Sequence, residues 1–227
     1  MKSKSLLFAL ILVLLGLNVS VAQDIKPAAG SVDLELMFTP LGDSPIGLSY
    51  LKGRYYITDD LAARLGLDFD LDANKSEPFN DTDNDVKDEE TMSSLVIGIW
   101  PGLEMHFGDF ERVSPYIGAE VGVNIKGASY TYTDNVANQT MEINGAWGTE
   151  GSNRGYTQIG VNLVSGFDYF FVKKAYLGAE FGFGFFSTTW SEIEVTTGSQ
   201  TNVVLNKSTN VDVGFNVVSA IRLGYSF

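Results

Sequence analysis

The sequence predicts an all-β fold: an eight-stranded antiparallel transmembrane up-and-down β-barrel, preceded by a cleaved signal peptide. Three observations predict it. Apolar residues alternate with Gly, polar or charged residues over many stretches. Those stretches run roughly 10 to 17 residues, against a mode of about 5–6 for soluble sheets. An export leader stands at the start of the chain.

The leader comes first. Lys2 and Lys4 form a positive n-region, Leu6 to Leu17 an apolar core, and Ser20-Val21-Ala22 a small-residue cleavage site. As a membrane helix the core is too short for the roughly 20 apolar residues a bilayer requires. Cleavage after Ala22 leaves residues 23–30 as a periplasmic N-terminal segment and 31–227 as the barrel domain. Nothing in 31–227 reads as a second domain.

Eight strands are expected, at about 31–39, 46–57, 61–72, 93–107, 115–132, 155–171, 175–187 and 211–227. In the third, Leu65, Leu67, Phe69 and Leu71 oppose Arg64, Gly66, Asp68 and Asp70. In the last, Val211, Val213, Phe215, Ile221, Leu223 and Tyr225 oppose Asp212, Gly214, Asn216, Arg222 and Gly224. The second changes parity between Tyr50 and Leu51, which predicts a bulge or a face ambiguity there. A soluble sandwich would also alternate, but strand length, leader and the charges on the non-apolar face favour lipid outside and a polar lumen inside. An even strand count lets the sheet close and leaves no unpaired edge in lipid.

Connections alternate in length. Thr58-Asp59-Asp60, Gly108 to Ser114 and Val172-Lys173-Lys174 are short turns, whereas 73–92, 133–154 and 188–210 are longer polar loops. Short periplasmic turns and long outer loops place both termini in the periplasm. The first outer loop, Pro40 to Pro45, is short and breaks that pattern. One segment repeats: Tyr116-Ile117-Gly118-Ala119-Glu120-Val121-Gly122 recurs as Tyr176-Leu177-Gly178-Ala179-Glu180-Phe181-Gly182. It is read as two equivalent lumen carboxylates flanked by glycines that let the wall curve; an assembly or ligand element is the other reading.

Composition removes several functions. The chain has 15 Lys+Arg against 28 Asp+Glu, a formal charge of −13, so it offers no electrostatic footprint for nucleic acid. With no cysteine there is no disulfide, thiolate-bound metal or thiol nucleophile. Aromatics at 12% exclude a disordered chain.

With leader, alternation and terminal aromatic together, the chain resembles the small outer-membrane β-barrel proteins of Gram-negative bacteria, the OmpA-barrel, OmpX and OmpW-like group. It is most similar to the "outer membrane protein beta-barrel domain" proteins of Bacteroidetes-type bacteria. The resemblance rests on the ending Ile221-Arg222-Leu223-Gly224-Tyr225-Ser226-Phe227, the Tyr-x-Gly-Ala-Glu-x-Gly repeats and the Tyr55-Tyr56-Ile57-Thr58-Asp59-Asp60-Leu61 strand–turn–strand. It implies an outer-membrane location, contact with lipid and lipopolysaccharide, and recognition of Tyr225 and Phe227 by the barrel-assembly machinery. A monomer with no nucleic-acid partner is expected.

The lumen parity collects Asp33, Glu35, Lys52, Arg54, Arg64, Asp68, Asp70, Glu104, Glu120, Lys126, Asp168, Glu180 and Arg222. An eight-stranded interior is just wide enough for side chains to fill, so these charges are expected to pair across it and close it. The acid excess leaves a narrow cation-favouring path as a second reading. His106, the single histidine, shares parity with Glu104 and is assigned a lumen hydrogen bond in place of a catalytic base. No nucleophile–base constellation is visible, so no enzymatic activity is expected. Asp81-x-Asp83-x-Asp85 opens like a calcium loop, but Val86 and Met92 stand where Gly and the bidentate Glu belong. That leaves a weak Ca²⁺ or Mg²⁺ site at Asp81, Asp83 and Asp85, or a solvated acidic loop, and otherwise no cofactor. The function expected is structural or surface-interactive, with the lumen closed by paired charges; the alternative is an OmpW-like passive conduit for small, partly apolar solutes.

Overall fold

The structure, a computed structural model, describes residues 25–38, 46–83, 85–217 and 221–227. The leader expected at 1–22 and the loop expected at Pro40 to Pro45 lie outside the described residues. Twelve strands form in chain order: β1 (Val32–Phe38), β2 (Ile46–Tyr56), β3 (Leu61–Ser76), β4 (Glu89–His106), β5 (Val113–Asp134), β6 (Gln139–Asn144), β7 (Tyr156–Val172), β8 (Ala175–Trp190), β9 (Ile193–Thr197), β10 (Gln200–Leu205), β11 (Ser208–Val217) and β12 (Ile221–Ser226).

The antiparallel ladders close on themselves. β1 pairs β2, β2 pairs β3, β3 pairs β4 and β4 pairs β5; β5 pairs β7, β7 pairs β8, β8 pairs β12, and β12 returns to β1. β11 and β12 share the eighth position, both pairing with β8. The wall is therefore a closed ring of eight positions. Following paired residues from Asp33 leads through Arg54, Arg64, Gly102, Glu120, Asn162 and Gly184 to Gly214, whereas Asp33 itself pairs with Ser226 on that last strand. This offset is the stagger that a tilted barrel requires.

The wall strands follow the period-two pattern. β3, β4, β5 and β7 carry Leu67, Phe69, Ile97, Ile99, Val121, Leu163 and Phe167 exposed on the outer face. β8 and β11 continue the belt with Phe181, Phe183, Phe185, Val213 and Phe215, the last 88% exposed. So large an apolar girdle is unsustainable in water but is what hydrocarbon solvates. This is a transmembrane β-barrel.

Between Leu36 and Met37 the β1–β2 ladder shifts register, with Leu36 opposite Leu51 and Met37 opposite Gly47, which locates the irregularity expected in the second strand. At the turns, the Thr58 Oγ1 accepts the Leu61 backbone N–H at 3.0 Å, and Lys174 takes a positive φ of 68°. On the lumen face, glycines stand opposite large rings. A Cβ on Gly224 would come within 2.1 Å of the Tyr176 ring, so glycine there makes room for the aromatic across the ladder.

The outer connections differ from the expectation of polar loops. Residues 133–154 and 188–210 contain β6, β9 and β10, which add to the upper half of β5 in the order β5, β6, β9, β10. Ile143, Ala146 and Ile193 are buried between them, with Tyr130, Met141 and Val195 packed around. Strand segments of five or six residues suffice because β6 pairs the wall strand β5 and, across to the next loop, β9, which in turn pairs β10. β5 itself runs 22 residues, well past any hydrocarbon layer, and carries the wall outward as a small sheet.

Candidate functional site in the barrel lumen

The alternation that faces apolar side chains outward sends the even-numbered residues of β2 from Tyr50 onward, and of β3, β4, β5, β7, β8 and β12, inward, together with the odd-numbered residues of β1. Near the short turns they form an ion-pair floor. Arg54, with no exposed side-chain surface, reaches three carboxylates: Glu35 at 2.9 Å, Glu104 at 2.8 Å and Asp168 at 2.5 Å. Arg64 bridges Glu104 at 2.7 Å, Glu120 at 2.9 Å and Glu180 at 3.1 Å. Lys52 lies 3.1 Å from Glu35 and 3.0 Å from Glu180; Arg222 lies 2.7 Å from Glu35 and 3.1 Å from Asp168. Four cations thus interlock with five carboxylates, each ion touching at least one opposite partner. That is the condition under which burying charge is tolerated.

Neutral groups complete the floor. Tyr116 donates to Glu180 at 2.6 Å, Tyr176 donates to Glu35 at 2.8 Å, and the Asn162 amide donates to Glu120 at 3.0 Å. The Arg54 guanidinium also lies over the Tyr116 ring, 4.9 Å from its centroid. Both repeat copies thus contribute a tyrosine and a glutamate. The two tyrosines are the lumen residues that charge parity alone missed; the repeat Tyr-x-Gly-Ala-Glu was the signal that marked them.

Nine of the expected charges come together here: Glu35, Lys52, Arg54, Arg64, Glu104, Glu120, Asp168, Glu180 and Arg222. Four expected members of the network do not join it, among them Asp70, which is exposed and forms no ion pair among the described residues. Lys126 lies too far toward the outer rim and donates to Asn153. Asp68 forms no ion pair among the described residues and lines a chamber above the floor. Asp33 is fully buried at the turn end, its carboxylate oxygens without a hydrogen-bond partner among the described residues. Parity placed all four inside; Asp68, Asp70 and Lys126 stand farther along their strands than the cations, whereas Asp33 is level with Arg54 in the ladder but is not among the carboxylates Arg54 bridges.

The chamber has a volume of about 450 Å³. Its base is formed by Lys52, Glu120, Glu180 and Arg222, and its sides by Tyr50, Asp68, Trp100, Asn124, Gln158 and Phe186. Trp100 donates to the Asn124 Oδ1 at 2.9 Å, and its ring meets Phe186 edge-on at 6.0 Å.

His106 contacts Ser114 through Nδ1 at 2.9 Å and Glu104 through Nε2 at 3.4 Å. All three side chains are buried, and the imidazole lies between the Tyr56 and Tyr116 rings, each 5.3 Å away. The arrangement ties the turn end of the lumen together. At the terminus, Tyr225 stacks edge-on against Phe227 at 5.1 Å, and the Phe227 N–H donates to the Val32 carbonyl at 2.8 Å.

In the outer loop, Asp83 accepts the Asp85 N–H at 3.0 Å, and no three metal-ligating side chains converge among the described residues. The carboxylate that organises this loop is Asp88. It accepts from Tyr132 at 2.5 Å, from Asn80 at 2.9 Å and from the Asn135 N–H at 3.0 Å. The Tyr132 hydrogen bond holds the Asp88 carboxyl below its usual range, and the same bond pushes the Tyr132 phenol up to about 12.

No family model matches the chain, and no curated protein matches it. Among solved structures it is similar to the outer membrane protein OprG from Pseudomonas aeruginosa, with 15% identity over 90% of this chain and 99% of that one and a TM-score of 0.37. It is also similar to the outer membrane protein AlkL in lipid bilayers, at 13% identity over 92% and 96% and a TM-score of 0.34. A third, Acinetobacter baumannii CarO2, matches at 11% identity over 87% and 98%, with a TM-score of 0.33.

Proposed function

We propose that this protein is a monomeric barrel of the Gram-negative outer membrane with a closed lumen and a structural or surface-interactive role. The observation that carries the reading is the floor: Arg54, Arg64, Lys52 and Arg222 span the interior between strands on opposite sides and leave every participating side chain less than a tenth exposed. A barrel of eight strands has no spare width beside such a layer. Both termini face the periplasm in this reading, because the described turns at that end are short and the outer end carries the added sheet. Lipid and lipopolysaccharide surround the apolar belt, and Tyr225 and Phe227 present the terminal signal to the assembly machinery. The buried, ring-enclosed Ser114–His106 pair supports a structural task over an enzymatic one.

Planar-bilayer recording tests it. The purified barrel should insert without conductance steps; regular steps would overturn the closed lumen. The passive-conduit alternative draws on the chamber, whose lining includes Leu36 and Met37 where the β1–β2 ladder shifts. Faster entry of small apolar solutes into vesicles bearing the barrel, without ionic conductance, would favour that alternative.

A further inference from the structure

The chamber above the floor holds a carboxylate that the ion pairs leave free. Asp68 is half-buried, lines the cavity and has no ion-pair partner among the described residues. The cations beneath it, Lys52 and Arg222, are already committed to Glu35, Glu180 and Asp168. The floor holds five carboxylates against four fixed cations, and Asp68 adds another acid above it, an excess of negative charge that disfavours an anion and draws a cation. Trp100 and Phe186 add ring surface suited to a cation with an apolar substituent.

We propose that the chamber binds a small organic ammonium ion bearing an apolar group, with Asp68 as counter-charge and Trp100 and Phe186 as walls. A bare metal ion fits less well, since Asp68 is a single carboxylate and no three ligating side chains converge among the described residues. Asp70 and Asp72, the next residues on the same strand face, are both exposed. The proposal deepens the closed-lumen reading by giving the outward-facing cup above the floor a ligand.

The test uses the refolded full-length barrel in detergent micelles, with micelle-only blanks, titrated with phenethylammonium chloride and followed by tryptophan fluorescence and calorimetry. Saturable binding is expected, with 2-phenylethanol and phenylacetate at least tenfold weaker. Asp68→Asn should weaken phenethylammonium at least tenfold while leaving 2-phenylethanol unchanged, and heat-shifted gel mobility confirms that the variant is folded. No saturable binding at millimolar probe, equal affinity for phenylacetate, or unaltered affinity in folded Asp68→Asn would each overturn the proposal. Bilayer recording on the same preparation keeps the two readings apart. Conductance with binding retained sinks the closed lumen alone, and a silent barrel without binding sinks the ammonium site alone.

Discussion

Tyr116 donates a 2.6 Å hydrogen bond to Glu180, joining the first copy of the Tyr-x-Gly-Ala-Glu-x-Gly repeat to the second. The ladders explain the contact. Tyr116 pairs across from Gly166, and Gly166 pairs across from Glu180, so the stagger sets the tyrosine of one copy level with the glutamate of the other. Gly166 leaves the space the phenol crosses, since a Cβ there would lie 2.5 Å from the Tyr116 hydroxyl.

Removing that hydroxyl should be felt. A hydrogen bond to a charged group contributes about 1.5–3 kcal/mol. Tyr116→Phe should lower the unfolding free energy by that amount in urea titrations followed by tryptophan fluorescence, with the barrel's circular dichroism unchanged.

Arg54 bridges three carboxylates of the floor and has no exposed side-chain surface. Arg54→Leu leaves Glu104 with Arg64, Glu35 with Lys52 and Arg222, and Asp168 with Arg222 alone. Stripping one partner from a buried pair costs about 3–5 kcal/mol. The expected result is a urea midpoint lowered accordingly, well beyond the loss in Tyr116→Phe.

Asp33 should behave in the opposite way. Its buried carboxylate joins no ion pair among the described residues, so Asp33→Asn exchanges a costly group for an isosteric neutral one. Equal or higher stability is expected from the same titration. A loss above about 1 kcal/mol, the typical net worth of one hydrogen bond, would show that Asp33 has a partner that matters.

The Tyr132–Asp88 bond makes the outer loop pH-sensitive at both extremes. Asp88 has a depressed carboxyl, so its contribution is complete above about 4, the usual unfolded value, and fades as pH falls through the folded one. Tyr132 has a raised phenol, so its contribution is complete below about 10 and disappears as pH rises through about 12. The tyrosinate absorbance of wild type minus Tyr132→Phe should show a group ionising near about 12, and Asp88→Asn should return it toward about 10.

Much of this was legible along the chain. The alternation in Leu65 to Asp70 assigns each residue to lipid or lumen without any knowledge of its neighbours, because a strand turns successive side chains to opposite faces. The hairpin Ile193 to Leu205 was equally present as β-branched residues around Gly198-Ser199, but its polarity read as loop. In a chain that crosses hydrocarbon, strands that stay in water carry polar residues on both faces, and hydrophobic periodicity is blind to them.

What the sequence by itself determined was the side of the wall on which each residue sits. Height was decided only by the closed structure, through the stagger that puts Arg222 beside Glu35 and leaves Asp68 and Lys126 out of the floor. An ion pair needs contact within about 4 Å, and contact across a barrel depends on the tilt of strands far apart in the chain. Parity is a property of one strand; pairing belongs to the ring.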